Sequence, residues 1–555
     1  MHRGESGYEL ILAPGAGLPS TVLAITAAGS RAALLGPRST ANLSRARADP
    51  AVGETARRGA PDRRQRRRLT AVPCMICAVG LLSSLVGCMA VGPRFTLPEP
   101  PARRTYTRST MPSATAAAPV ALGAAQSFVS APYAEPAWWR AFNSQQLNTL
   151  VDRALTANPT LLVATDTLRE AQQIYAARAG STRYPTVNVN LAAAREEING
   201  ASVGQPQIPQ QTYTLYNVGV AVNYNFDLFG GNRRALEALA AQADYANYEL
   251  AGARLMLAAN VVTTAFSQAQ FAAQIDATRA MLAAERHQLD IARQDFALGT
   301  VSRVDLLALQ TQVAQTRATL PPLRNRLEQA DHLLAILVGR SPGAAAIPRF
   351  ALTDFTLPAR LPVVVPSALV RERPDVQAST ALLHAATAQY GVAVAALYPD
   401  LNLSAELGTA ALATDALFGP GSLIWSLAGR LAQPLFNAGL RAGAGAARTS
   451  MQAVGANYQQ TVLQALRNVA DILRQCQNDA ASLQAQAAAY AAARRTLDIV
   501  QGQYRIGAAS YLQLLSSDQQ LQQIRIALVA AQTARLTDSA ALYQAMGGGA
   551  LQRTR

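Results

Sequence analysis

Two stretches near residue 200 and two near residue 415 alternate apolar and polar side chains with period two. In VNVNL and YNVGVAVNYNFDLFG, one face takes Val187, Val189 and Leu191, then Val218, Val220, Val222, Tyr224 and Phe226. The other takes Asn188, Asn190, Asn223, Asn225 and Asp227. Leu401, Leu403 and Leu407 alternate likewise with Asn402, Ser404 and Glu406, and Trp425, Leu427 and Leu431 with Ser426 and Arg430. This period predicts two pairs of β-strands. An amphipathic sheet on a soluble core would alternate in the same way. Strand lengths near about ten residues, with an opposite face that is polar but weakly charged, point instead to a membrane barrel with lipid outside and water inside. Four strands cannot cross a bilayer as an open sheet, because their edge N–H and C=O groups would face hydrocarbon. Several chains must then share one barrel.

Around these strands the period turns helical. Residues 232–298 and 440–506 run without proline, and at 1.5 Å per residue each predicts a helix of about 100 Å. No globular core needs that length, so such helices must pack side by side, which the frequent alanines permit. Both end at a glycine suited to a left-handed cap, Gly299 or Gly507, and return helices follow over 301–338 and 511–546. A shorter helix precedes each strand pair, over 145–179 and 367–397, and each ends near a Tyr-Pro, where the residue before proline avoids helical geometry.

The recurrence is a tandem duplication. IARQDFALGTVSRVDLL (291–307) aligns without gaps with IVQGQYRIGAASYLQLL (499–515). Asn158-Pro159 corresponds to Arg373-Pro374, Tyr184-Pro185 to Tyr398-Pro399, and Gly339 to Gly547. The repeats are expected over 133–340 and 367–549, with a proline-rich linker over 341–366 wrapped on the surface and a C-terminal tail over 550–555.

Composition narrows the function. Half of the 555 residues are hydrophobic and 15% are charged. Lysine is absent, so arginine alone supplies the cations behind the net charge of +15. Much of that net charge lies before residue 75, and the densest arginine cluster, Arg63 to Arg68, stands directly before an apolar run rather than in an aromatic-interleaved patch. Nucleic acid is therefore not the expected partner. Basic cluster, apolar run Leu69 to Val86, then Gly87-Cys88 is the order of a secretory signal, expected over 63–87. Residues 1–62 have no sustained period and are expected to be a mis-called extension, absent from the mature protein. Cys74 and Cys77 form a lone CxxC within the apolar run, with no second pair, and Cys476 lies in a helical pattern as a packed small side chain. No Walker loop, GxSxG or metal-spaced His/Cys cluster occurs, so an enzyme is not expected.

Leu85-Val86-Gly87-Cys88 resembles a bacterial lipobox, which implies a thioether-linked lipid on Cys88, cleavage before it, and a lipidated linker over 88–132. Only a thiolate is nucleophilic enough for that bond near neutral pH, and two or three chains anchor far more firmly than one.

From Cys88 onward the chain resembles the TolC-like outer membrane factor family, in its lipoprotein efflux (NodT-type) branch. The resemblance is carried by Val91-Gly92-Pro93, Trp138-Trp139-Arg140-Ala141-Phe142, Tyr184-Pro185, FDLFGGNRR (226–234), LPVVVPSALVRERPDV (361–376), ALYPDLNLS (396–404) and the two glycine-centred repeats. It implies a mainly α chain with a membrane β-barrel: a homotrimer whose twelve-stranded barrel in the outer membrane continues as a helical tube across the periplasm. It further implies a periplasmic adaptor, an inner-membrane pump of the RND class, and passive conduction of small molecules with no cofactor beyond the lipid. Drug efflux, metal-ion efflux and protein secretion compete within the family, and a purely structural periplasmic coiled-coil lipoprotein is the rival outside it.

By the same resemblance Gly299, Thr300, Ser302, Gly507, Ala508 and Ser510 form the periplasmic tip that meets the adaptor. Asp305 matches a position whose carboxylate takes part in holding the entrance closed, and Tyr504 a tyrosine able to hydrogen-bond that carboxylate across helices. Gln513 and Ser516 depart from carboxylates found in some members, which implies a weak acidic ring or a gate held mainly by Leu512.

Overall fold

The computed structural model describes residues 90–99, 105–133, 135–204, 206–207, 209–344 and 346–549. The leader, Cys74, Cys77, Cys88 and the tail from residue 550 lie outside them. In chain order the main elements are β1 (Ser127–Ser130), a 3-10 turn (Trp138–Phe142), α1 (Gln145–Ala157), α2 (Pro159–Arg183), β2 (Thr186–Ile198) and β3 (Gln211–Phe226). Next come α3 (Gly231–Ala297), α4 (Arg303–Leu337), β4 (Arg360–Val363), α5 (Pro366–Glu372) and α6 (Pro374–Ala395). β5 (Asp400–Ala411), β6 (Leu423–Ala432), α7 (Ala438–Arg505) and α8 (Tyr511–Ala545) complete the chain. The long helices reach 67 and 68 residues and both return helices 35, so the two copies match in length as well as order.

The helix expected over 145–179 is instead two helices that meet at Asn158. Pro159 has no N–H to donate and its ring would clash with the preceding turn, so it ends α1 and opens α2 as a first-turn proline. The Asn158 side chain caps α2 by accepting from Thr160 N at 2.8 Å and donates to Leu337 O at 2.9 Å. Arg373-Pro374 splits α5 from α6 in the second copy. Each long helix and its return helix end in a Schellman motif: Thr300 N reaches Asp295 O and Gly299 N reaches Phe296 O, and the same pair of bonds recurs at Gly339, Gly507 and Gly547. Gly547 must be glycine twice over, since its φ is +86° and a Cβ would lie 2.7 Å from Glu372 O.

The proline-rich stretch after residue 340 does not wrap loosely on a surface. Phe350, Phe355, Leu357, Leu361 and Val364 are buried in the main core with Trp138, Phe142, Phe266, Leu334 and Leu536. Gln268 of α3, itself fully buried, pins the segment by accepting from Phe350 N at 2.8 Å and donating to Pro348 O at 3.1 Å. The segment before residue 132 is likewise part of the fold, because β1 pairs in parallel with β4. Arg535 of α8, 1% exposed, donates to Gln126 Oε1 at 2.8 Å and to Ala124 O at 3.1 Å. Irregular spacing hides these residues from any periodicity; their burial comes from helices far away in the chain. Cys476 is buried as expected, and burial pushes its thiol up to about 12, which leaves it unreactive.

Candidate transport duct and its two ends

β2, β3, β5 and β6 form one antiparallel sheet in that order, with cross-strand rungs of uniform character. Val189, Val220, Leu407 and Trp425 lie in one rung, and Val187, Val222, Ala405 and Leu427 in another. Between them on the opposite face run Asn188, Ala221, Glu406 and Ser426. The apolar face is bare within the chain: Leu191 is 75% exposed, Trp425 74% and Leu427 66%. Apolar area of this size gains about 25 cal/mol per Å² on leaving water, so the face calls for a nonaqueous neighbour. The outer edges of β2 and β6 carry no further strand among the described residues.

Where the sheet meets the long helices, hydrogen bonds link four elements. Arg178 of α2 donates to Asn232 of α3 at 3.2 Å, Asn232 to Asn225 of β3 at 3.3 Å, and Asn225 to Asp400 of β5 at 2.6 Å. They line a cleft of about 680 Å³ at this junction. Asp227 caps α3 by accepting from Asn232 N at 3.0 Å and Arg233 N at 2.8 Å, a carboxylate at the positive end of the helix.

The segment that follows Cys88 is bolted to this junction. Ala90 presses on Gly230, where any Cβ would lie 2.4 Å from that of Ala90, and Val91 N donates to Phe229 O at 3.0 Å. Arg234, 5% exposed, reaches Val91 O at 3.4 Å while its guanidinium pairs with Glu237 at 2.7 Å. His384 of α6 bonds the other Glu237 oxygen at 2.9 Å and stacks on Phe95. Burial works against the Glu237 charge, but the hydrogen bonds from His384 and Arg234 outweigh it and hold the carboxyl below its ordinary value. FDLFGGNRR contains Arg234, yet nothing local in the sequence signals that it reaches Val91, 143 residues upstream, or that its ion-pair partner Glu237 bonds His384, 147 residues further on in α6.

At the far end, Gly299, Thr300 and Ser302 make the α3–α4 turn, and Gly507, Ala508 and Ser510 the α7–α8 turn. Ser302 and Ser510 cap the return helices, each accepting at 3.2 Å from the residue three positions on, Asp305 or Gln513. The Asp305 carboxylate also accepts from Ser302 Oγ at 2.7 Å. Among the described residues it makes no hydrogen bond to Tyr504 within the chain. Tyr504 packs edge-on against Tyr511 at 5.7 Å, and burial raises its phenol, with Asp295 and Asp305 adding to the shift. Asp305 and Tyr504 are thus brought near each other, whereas Leu512 (65% exposed), Gln513 and Ser516 point away into solvent.

A sheet with one face for lipid and one for water, continued by paired helices of about 100 Å, defines a channel-forming membrane protein. The chain belongs to the outer membrane efflux protein family, whose profile matches residues 150–340 and 365–548. It is 28% identical over 425 residues to the cation efflux system protein CusC of Escherichia coli K12, covering 75% of this chain and 90% of CusC. To the pyoverdine export outer membrane protein OpmQ of Pseudomonas aeruginosa it is 28% identical over 417 residues, covering 74% and 87%. The crystal structure of VceC from Vibrio cholerae superposes with a TM-score of 0.70 at 26% identity, covering 75% of this chain and 99% of VceC. The protein is therefore an outer-membrane efflux channel, in a family of channels rather than enzymes.

Proposed function

We propose that three copies of this chain close one twelve-stranded barrel and act as the passive exit duct of a tripartite efflux system. A periplasmic adaptor would engage the tip, and an inner-membrane pump of the RND class would supply the energy for small molecules expelled through the bore. The observation that carries this reading is the four-stranded sheet with a bare apolar face and two unpaired edges. In lipid those edges must be paired, and copies of the same chain are the simplest way to pair them. A coiled-coil lipoprotein without a pore would have no use for such a sheet. The unheated protein should migrate as a trimer and form pores in planar bilayers; a monomer that conducts nothing would sink the proposal. Metal-ion efflux is a second reading, favoured by the likeness to CusC. OpmQ, named for pyoverdine export, is equally similar. Identity at this level does not choose the solute, and a susceptibility panel that includes copper and silver salts on a deletion strain separates the two.

We further propose that Cys88 carries the lipid. In support, the chain two residues later already sits against the strand–helix junction, at the membrane-proximal end of the long helices. Cys88→Ser should abolish palmitate labelling and leave an uncleaved leader; labelling that persists in the variant removes the assignment.

At the tip, the resemblance assigns closure to Asp305 and Leu512. One carboxylate per chain, with Gln513 and Ser516 uncharged, makes a thin acidic ring. Wild-type pores should be weakly cation-selective, and Asp305→Ala should bring the reversal potential in a salt gradient close to zero. Strong selectivity unchanged in the variant would show that the ring lies elsewhere.

A further inference from the structure

Below the main core, the α3/α4 pair and the α7/α8 pair meet along a seam between α3 and α8. Nearest the tip the seam is apolar, made of Leu289, Ala292, Leu309 and Leu515. About one helical turn further from the tip on both helices it becomes polar: Glu285 of α3 is fully buried and Asp518 of α8 is 3% exposed. Glu285 Oε1 accepts from Gln312 at 3.0 Å and from Thr316 at 2.9 Å, both on α4. Gln519 of α8 in turn donates to Gln312, so one set of hydrogen bonds joins α8, α4 and α3. The second oxygen of each carboxyl, Glu285 Oε2 and Asp518 Oδ2, has no partner, and neither has the buried Tyr511 hydroxyl.

The titratable groups turned toward this layer are Glu285 of α3, Asp305 of α4, Tyr504 of α7, and Tyr511 and Asp518 of α8. None of them is a cation, and among the described residues no ion pair reaches either carboxyl. Two ionised carboxyls would therefore be buried without a counter-charge, a costly state that protonation relieves. A protonated carboxyl also supplies the donor that the orphaned oxygens lack.

We propose that Glu285 and Asp518 form a proton-operated latch, which holds the two helix pairs together when protonated and loosens the seam when ionised. The proposal rests on the duct reading, in which the spacing of the helix pairs near the tip sets the bore. Burial raises both carboxyls from their ordinary values and outweighs the hydrogen bonds that favour the charged forms, from Gln312 and Thr316 at Glu285 and from Gln522 at Asp518; the Asp518 charge adds to the rise at Glu285. The packed seam consequently binds protons more tightly than a parted, hydrated one. Packing is fully favoured below the ordinary carboxylate range and weakens as pH rises through the raised values. Each proton held only by the packed state changes the closed-to-open ratio by up to about tenfold per pH unit.

The test uses the full-length protein reconstituted in phosphatidylethanolamine–phosphatidylglycerol bilayers. Pore opening is read from about pH 4, near the ordinary carboxylate values, to about pH 8, well above them. Wild-type opening should rise several-fold with pH. Glu285→Gln with Asp518→Asn, which fixes both groups in neutral form, should stay near the wild-type acid level throughout. Should the double variant not assemble, Asp518→Asn alone leaves the Glu285 hydrogen bonds intact and should still halve the pH response. A wild type indifferent to pH, or variants that follow its curve, overturns the latch. Hydrogen exchange over residues 309–316 and 514–522, corrected for intrinsic rate, gives a readout independent of conduction. Protection should fall with pH in wild type only, and equal falls in wild type and variants overturn the latch. A wild-type protein that forms no pore removes the duct reading, and the exchange data then decide the latch alone.

Discussion

Replacing Phe266 with alanine should destabilise the folded chain by about 3–5 kcal/mol, the range for emptying a buried aromatic site. Phe266 is fully buried at the middle of α3. Its ring meets Phe142 edge-on at 4.9 Å and Phe355 edge-on at 4.8 Å. Those two neighbours come from the turn before α1 and from the stretch that connects the copies. The cavity would be lined by three segments far apart in sequence, none of which can close over it without moving the others. Gln268, two positions on, holds the connecting stretch through two hydrogen bonds and donates a third to Asp331 of α4, so that stretch cannot collapse inward freely. Thermal unfolding in detergent, followed by circular dichroism, should show a fall of many degrees. Phe418→Ala, at a loop position 79% exposed, should change little. A Phe266→Ala protein as stable as wild type would mean that the inter-copy stretch is only draped over the helices.

The contrast between Phe266 and its partners shows what could be read from the chain. Strand faces were legible because Val187, Val189 and Leu191 repeat at the period of the backbone itself. The long helices were legible because a proline-free run and a terminal glycine are local signals. Pro159 and Pro374 are visible too, as landmarks of the duplication, and each also breaks the helix that the surrounding pattern predicts. Phe350, Phe355 and Leu361 carry no period, since each is buried by a different element; their role exists only once α3 and α8 are in place. The same holds at the functional ends. Gly299, Ser302 and Asp305 announce a capped turn within a few residues. Glu285 and Asp518 look like ordinary polar positions on long helices until two helix pairs bring them into one buried layer. Arg234 sits in a recognisable motif, but its hold on Val91 needs the chain to return across 143 residues.

Adjacent positions on β6 give a sharp test of which face of the sheet meets lipid. Leu427 lies midway along the apolar face, between Leu423 and Leu431, in a rung with Val187, Val222 and Ala405. Ser426 belongs to the opposite face, in a rung with Asn188, Ala221 and Glu406. If the apolar face is in hydrocarbon, Leu427→Arg places a cation near the bilayer midplane and should cost about 2–4 kcal/mol. Ser426→Arg places the same side chain in the aqueous bore beside Glu406 and should cost well under about 1 kcal/mol. A sheet packed on a soluble core would reverse neither sign, but it would not tie the penalty to bilayer thickness. Folding yields into phosphatidylcholine vesicles of increasing chain length should therefore separate the cases. Leu427→Arg should fold less well in every vesicle and worst in the thickest, because a longer hydrocarbon path leaves the guanidinium further from water. Ser426→Arg should track wild type in assembly while shifting pore selectivity toward anions. Equal penalties at the two positions would mean that β6 does not divide lipid from water, and the barrel would lose its physical basis.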